Sequence, residues 1–277
     1  VKDPGDDAAM PVPPDPLSPD PDYDEEGGPI KPFLEHLEDL RWVLIRCIIA
    51  FIVSFSLCVG FADRLIDILQ APIIKVAGDT ISITNLQVTG SFIIILQIGI
   101  WGGLCVAFPF LLYFLGDYIV PALRKGEKKY LGMAFTAGTV LFTLGGLMAY
   151  FLVAPLSLKA FISLGEWLGV PAVVWTAESY FGFVPKLVLG MGLAFEVPVV
   201  ILTLVKLNII SAEFLVSGRK YMIVANFVLS AFITPQDLVS TVMLAAPLQI
   251  LFELCIIIAR HWDKQEKKKL REMGFDV

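Results

Sequence analysis

The stretch "YFGFVPKLVLGMGLAFEVPVVILTLVKL", residues 180–207, decides the fold class. As a helix it would rise about 42 Å, more than the roughly 30 Å of hydrocarbon in a bilayer, so it reads as a membrane span long enough to tilt. Within it, "GLAFEVPVVIL" (residues 192–202) sets the carboxylate of Glu196 two residues before Pro198. A charge at that depth is expensive. Glu196 is therefore read either as a working intramembrane group or as a protonated acid hydrogen-bonded inside a helix bundle. Pro198 frees the carbonyl of Ala194 for another donor. The expectation is a mostly protonated Glu196 facing a concave, water-accessible or partner-covered side.

Outward from this segment, five further apolar runs occupy residues 42–61, 92–120, 132–153, 221–233 and 238–259. Hydrophobic residues make up 56% of the chain and aromatic ones 12%, far outside soluble averages. Mean hydropathy is +0.75. The fold class expected is an all-α integral membrane protein with six transmembrane helices. The run 221–233 would rise only about 20 Å as a helix, short of the hydrocarbon thickness. No internal repeat at a fixed spacing is present.

Charge sets the orientation. The net charge of -6 is dominated by residues 1–29, which hold one Lys and nine acids. Nine of the 18 prolines fall in residues 1–32, and so polar a stretch has too little apolar surface to offset the entropy of ordering. It reads as a disordered acidic tail, with no basic region and apolar core of the kind a signal peptide needs. With six crossings, seventeen basic residues fall on one side, among them Arg41, Arg46, Arg124, Lys125, Lys206 and the cluster after Arg260. Four, Arg64, Lys75, Lys159 and Lys186, fall on the other. Both termini are thus expected in the cytoplasm. Trp42 and Trp262 suit the inner boundary, Trp167 and Trp175 the outer one, and Trp101 suits packing within a span. The domain division expected is a tail at 1–32, a membrane domain at 33–260 and a basic cytoplasmic tail at 261–277.

Several chemistries are excluded. Cys47, Cys58, Cys105 and Cys255 lie in apolar runs without a CxxC pair and read as small buried hydrophobes. The only histidines, His36 and His261, fall outside the spans, so neither an intramembrane hydrolase nor an HExxH metal site has the groups it needs. No Gly-rich phosphate loop appears. No enzyme, metal, cofactor or nucleic-acid partner is expected.

Two segments on the basic-rich side are more specific. In "FLEHLEDLRWVLIR", residues 33–46, Phe33, Leu34, Leu37, Leu40 and Leu44 recur at helical spacing, while Glu35, Glu38 and Asp39 cluster on another face. This is an amphipathic lead-in to the first span. In "DYIVPALRKGEKKYL", residues 117–131, Glu127 stands alone among Arg124, Lys125, Lys128 and Lys129.

Taken in order, "HLEDLR", "APIIK", "VPALRKGEKK", "LAFEVPV" and "FITPQD" resemble the TatC family from about Phe33 to Arg260. The resemblance implies a concave, glove-like six-helix receptor of the twin-arginine protein translocase. Such a receptor binds twin-arginine signal peptides, self-associates in a multimeric complex and recruits TatA- and TatB-type single-span partners to move folded cargo by the proton-motive force. Carried onto this chain, the family's first motif falls on Asp39, Leu40 and Arg41, its loop glutamate on Glu127 and the aromatic before that loop on Tyr118. Its outer-loop proline falls on Pro72, its intramembrane polar position on Glu196 and the acid of its last outer turn on Asp237. This chain has Asp39 where Glu is more usual and Trp42 in place of a second basic residue. The implied setting is a bacterial inner membrane, or a thylakoid.

Chemistry agrees with the implied receptor. Two adjacent arginines call for two carboxylates, since each guanidinium fork pairs with one acid, and Asp39 and Glu127 are expected on the same side. An alternative from another class is a proton- or cation-coupled secondary transporter using Glu196; internal repeats, which that class commonly carries, are absent here.

Overall fold

The computed structural model describes residues 33–78, 81–119, 128–170, 174–207, 209–234 and 238–272. The acidic tail, Glu127 and Asp237 lie outside the described residues. The lead-in and first apolar run form one helix, α1 (Phe33–Gly60), uninterrupted by proline and without glycine before its last residue. Helix α2 (Ala62–Ala77) follows, where the sequence indicated only an outer loop. Asp63, Arg64, Asp67 and Lys75 leave it too polar to register as a span, yet Ala62, Pro72 and Ile73 form a buried face, joined by Leu65, Ile66 and Leu69.

The second span is α3 (Gly90–Gln97), a π-helical turn (Ile98–Gly102) and α4 (Gly103–Ile119). The third is α5 (Lys128–Met148), a second π turn (Ala149–Val153) and α6 (Ala154–Trp167). It runs well past residue 153, where the apolar run was expected to end. The wider π turn comes just before Pro155, whose missing N–H falls in the first turn of α6 and interrupts no regular ladder. The fourth span is broken at Phe195 into α7 (Ala177–Ala194) and α8 (Glu196–Lys206). Pro198 lies in the first turn of α8, where backbone N–H groups have no intrahelical partner to lose.

A short helix α9 (Ala212–Ser217) is capped by Ser211, whose Oγ accepts from the Phe214 N–H at 3.2 Å. It leads to α10 (Arg219–Ile233) and α11 (Leu238–Glu272). Strands β1 (Ser82–Thr84) and β2 (Val174–Thr176) pair in parallel at the end opposite the start of α1, a minor addition to an all-α fold.

Among the described residues five helical stretches are long and apolar enough to cross a membrane. Helix α10 has 15 residues and rises about 22 Å. Large apolar side chains such as Ile49, Val53, Phe151 and Val228 are exposed, as lipid-facing surfaces require. Neighbouring spans pack antiparallel and closely. A Cβ on Gly103 would lie 2.9 Å from the Phe55 backbone, and one on Gly145 would lie 2.8 Å from the Met191 carbonyl, so small residues let these helices approach. Phe108, Phe142 and Leu189 tie α4, α5 and α7 together, the two phenyl rings stacking at 3.9 Å, and Trp101 packs beside them. Cys58 and Cys255 are buried, Cys47 and Cys105 half-buried, and all four are free thiols.

Candidate functional site

Asp39 is half-buried on α1, with Leu40 and Arg41 exposed beside it. Two turns along α1, the Arg46 guanidinium meets the Asp117 carboxylate of α4 at 3.8 Å. Both side chains are more than half exposed, so the pair is worth at most about 1 kcal/mol; it marks register more than it supplies stability. That register brings Asp39, Leu40, Arg41 and Tyr118 to one end of the molecule, where α4 stops at Ile119 and α5 starts at Lys128. Asp117 has no place in the sequence motifs, and its role in aligning α1 on α4 emerges only from the packing.

The same end collects further cations. Lys206 lies over the Trp262 ring at 5.3 Å, and Arg219 bonds Glu253 at 2.8 Å. On α11 beyond the span, Lys267 sits 3.2 Å from Asp263 and 3.6 Å from Glu213 of α9. Hydrogen bonding to Asp263, helped by both acids' charges, holds its amine above the usual lysine range.

Glu196 is half-buried in the first turn of α8, and its carboxylate lies over Gly138 of α5: a Cβ there would stand 2.7 Å from Oε2. Among the described residues its buried Oε1 has no hydrogen-bond partner. Beside it, an apolar cavity of about 530 Å³ opens between α5, α8 and α11, lined by Ala137, Leu141, Pro198, Leu202 and Leu254 and reaching Lys206 and Trp262. A half-buried acid with one unpaired buried oxygen next to an apolar groove asks for a polar donor carried on an apolar segment.

Pro72 lies at the opposite end, buried within α2. Having no N–H, it leaves the Ile68 carbonyl without its helical donor, and the Tyr150 hydroxyl donates to that oxygen at 2.6 Å. One residue on, Tyr180 donates to the Leu69 carbonyl, also at 2.6 Å. Neither tyrosine was singled out from sequence. The available signal was a phenol inside an apolar span, whose polar tip must find a partner.

Among the described residues the sequence-derived positions thus form three separate groups: the α1–α4 end, the Glu196 break and the Pro72 dock. Among the described residues, no cluster of three or more His, Cys, Asp or Glu is suited to hold a metal ion.

A family model described as "Sec-independent protein translocase protein (TatC)" matches residues 35–247. The TatC protein of Aquifex aeolicus (strain VF5) is 38% identical over 239 residues, covering 86% of this chain and 98% of that protein. That of Escherichia coli (strain K12) is 34% identical over 232 residues, covering 84% and 89%. A crystal structure of a twin arginine translocase receptor, TatC, superposes with a TM-score of 0.73 at 37% identity, covering 81% of this chain and 98% of that one.

Proposed function

The chain belongs to the TatC family of Sec-independent protein translocase proteins, non-enzymatic components of a multi-pass membrane system, and from that membership we propose that it is the signal-peptide receptor of a twin-arginine translocase. In this reading the membrane domain spans residues 33–260 of a bacterial inner membrane, with both termini in the cytoplasm. Asp39 and Glu127 bind the two arginines of a signal peptide, with Leu40, Arg41 and Tyr118 shaping the surface around them. Glu196, Pro72 and Asp237 serve contacts with TatA- and TatB-type single-span partners or with further copies of the chain. The proton-motive force drives passage of folded cargo.

The observation that carries the reading is the antiparallel α1–α4 register marked by the Arg46–Asp117 pair, which gathers Asp39, Arg41 and Tyr118 at the basic end. A carboxylate offers two acceptor oxygens to a guanidinium fork. The apolar cavity beside Glu196 supports a second contact, with a helix that brings one polar side chain into the membrane.

Binding of a twin-arginine peptide and its twin-lysine variant to the purified full chain tests the proposal. A charge-assisted bond is worth roughly 1.5–3 kcal/mol, so Asp39→Ala or Glu127→Ala should weaken the twin-arginine peptide by about tenfold to a hundredfold. Lysine at either position should be worse through repulsion. If both alanine variants bind like the parent and still reject twin lysine, the site lies elsewhere.

A further inference from the structure

At the end opposite Asp39, a cavity of about 670 Å³ opens between α6, β2 and the first half of α7. Ser179, Gly182, Phe183 and Lys186 all line it, and their spacing makes them one face of α7. Phe161 of α6 meets the Phe183 ring edge-on at 5.9 Å, and Trp175 of β2 joins them in a mainly apolar lining. Ile233, the last residue of α10, is the floor: its side chain packs against Gly190, one turn deeper along α7 than Lys186. Gly190 lies thirteen residues beyond Ala177, about 20 Å along the axis of α7. Above that level α10 has ended, and it gives the outer half of α7 no neighbour.

Lys186 is the anomaly. It stands inside a span, is exposed to the cavity and has no ion-pair or hydrogen-bond partner among the described residues. An unpaired ammonium at such depth needs an anion or water. Side chains on a helix lean toward its N-terminus, so that of Lys186 leans up the cavity toward Ser179 and the membrane surface. The Ser179 hydroxyl accepts from Thr176 at 2.7 Å, which leaves its own hydrogen for a ligand.

We propose that this cavity is a binding site for an anionic phospholipid of the outer leaflet, with its phosphate on Lys186 and an acyl chain against Phe161, Phe183 and Ile233. Charge complementarity requires an anion, and the rest of the lining requires an apolar body. Depth selects a lipid over a partner helix. The Ile233 floor closes the cavity within the outer leaflet, so a membrane-spanning segment cannot pass through it while a lipid need not. The inference rests on the proposed orientation, with both termini in the cytoplasm, and is independent of twin-arginine recognition.

The test uses the full chain in phosphatidylcholine vesicles containing either a photoactivatable phosphatidylglycerol or the matching phosphatidylcholine probe, with cross-links mapped by peptide. One lysine near a membrane anion is worth about fivefold in affinity, so the phosphatidylglycerol probe should label α6 and α7 about fivefold more than its zwitterionic match. Lys186→Gln should abolish that excess and Lys186→Arg should keep it. Lys159→Gln, outside the cavity, should leave it unchanged. Labelling at the basic end should stay constant in every variant, which verifies the fold. Inorganic phosphate should not compete. The proposal is overturned if Lys186→Gln retains the excess, if free phosphate removes it, or if a photoreactive side chain at position 161 captures a protein instead of lipid in whole membranes.

Discussion

Glu196 owes its setting to a proline two residues on and a glycine one helix away. Pro198 restarts the helix, so the acid lies in a first turn whose N–H groups favour a hydrogen-bonding oxygen, and Gly138 leaves the carboxylate room against α5. A neutral side chain of the same shape meets both conditions. Glu196→Gln should therefore preserve most export of a twin-arginine reporter. Glu196→Leu removes the polar contact and should weaken co-purification of single-span partners by about 1 kcal/mol, roughly fivefold. Abolished export in the glutamine variant at normal protein levels would point instead to proton carriage by the acid. That Glu196 is a candidate functional residue was legible in one segment. Its location over Gly138, 58 positions earlier in the chain, was not, because hydropathy says nothing about which helix stands opposite.

Helix α2 shows how an element too polar to span is pinned to elements that do. Its buried face, Leu65, Ile66, Leu69 and Ile73, packs on α6 and α7, and two phenols hold the carbonyls around Pro72. Removing the Tyr150 hydroxyl leaves the Ile68 carbonyl without that donor, so Tyr150→Phe should lower stability by about 1 kcal/mol in thermal unfolding of the detergent-solubilised protein. The cost should shrink in a Pro72→Ala background, where the restored N–H at position 72 can bond Ile68. Equal costs in both backgrounds would show that the tyrosine does not answer the proline. Pairing of α10 with α11 follows similar logic: Arg219–Glu253, Asn226–Gln249 and Thr234–Thr241 bond along the hairpin, polar links that fix register where apolar packing against lipid-like surroundings gives little preference.

Across the whole molecule, the short α10 makes the bundle concave. Its rise of about 22 Å falls roughly 8 Å short of the hydrocarbon thickness, and its end lies level with the interior of α7 instead of its outer terminus. Either the bilayer thins along this face or water and lipid headgroups are drawn down to Lys186, one turn above Ile233. A spin label at Phe232, exposed in the last turn of α10, should accordingly show strong accessibility to a polar relaxation agent in bilayers, whereas a label at Val140 of α5 should favour oxygen. Equal burial of the two labels would mean that the membrane is not deformed there. The same shortfall uncovers Lys186, so the lipid site and the concavity have one structural origin.

Apolar run length, the excess of cations on one side and the order of five short motifs determined the class, the number of runs and the family, because each is a local property summed along the chain. The run 180–207 read as one long tilted span, and its break at Phe195 emerges only in the structure. Tertiary structure alone decided that α2 docks through Tyr150 and Tyr180, that Asp117 aligns α1 on α4, and that Lys186 faces a cavity and not another helix. These contacts join residues up to 111 positions apart. Inside a bilayer every face of a span is apolar, so the pattern that marks the buried side of a soluble helix is weak, and close packing of small residues and a few hydrogen bonds choose the neighbours.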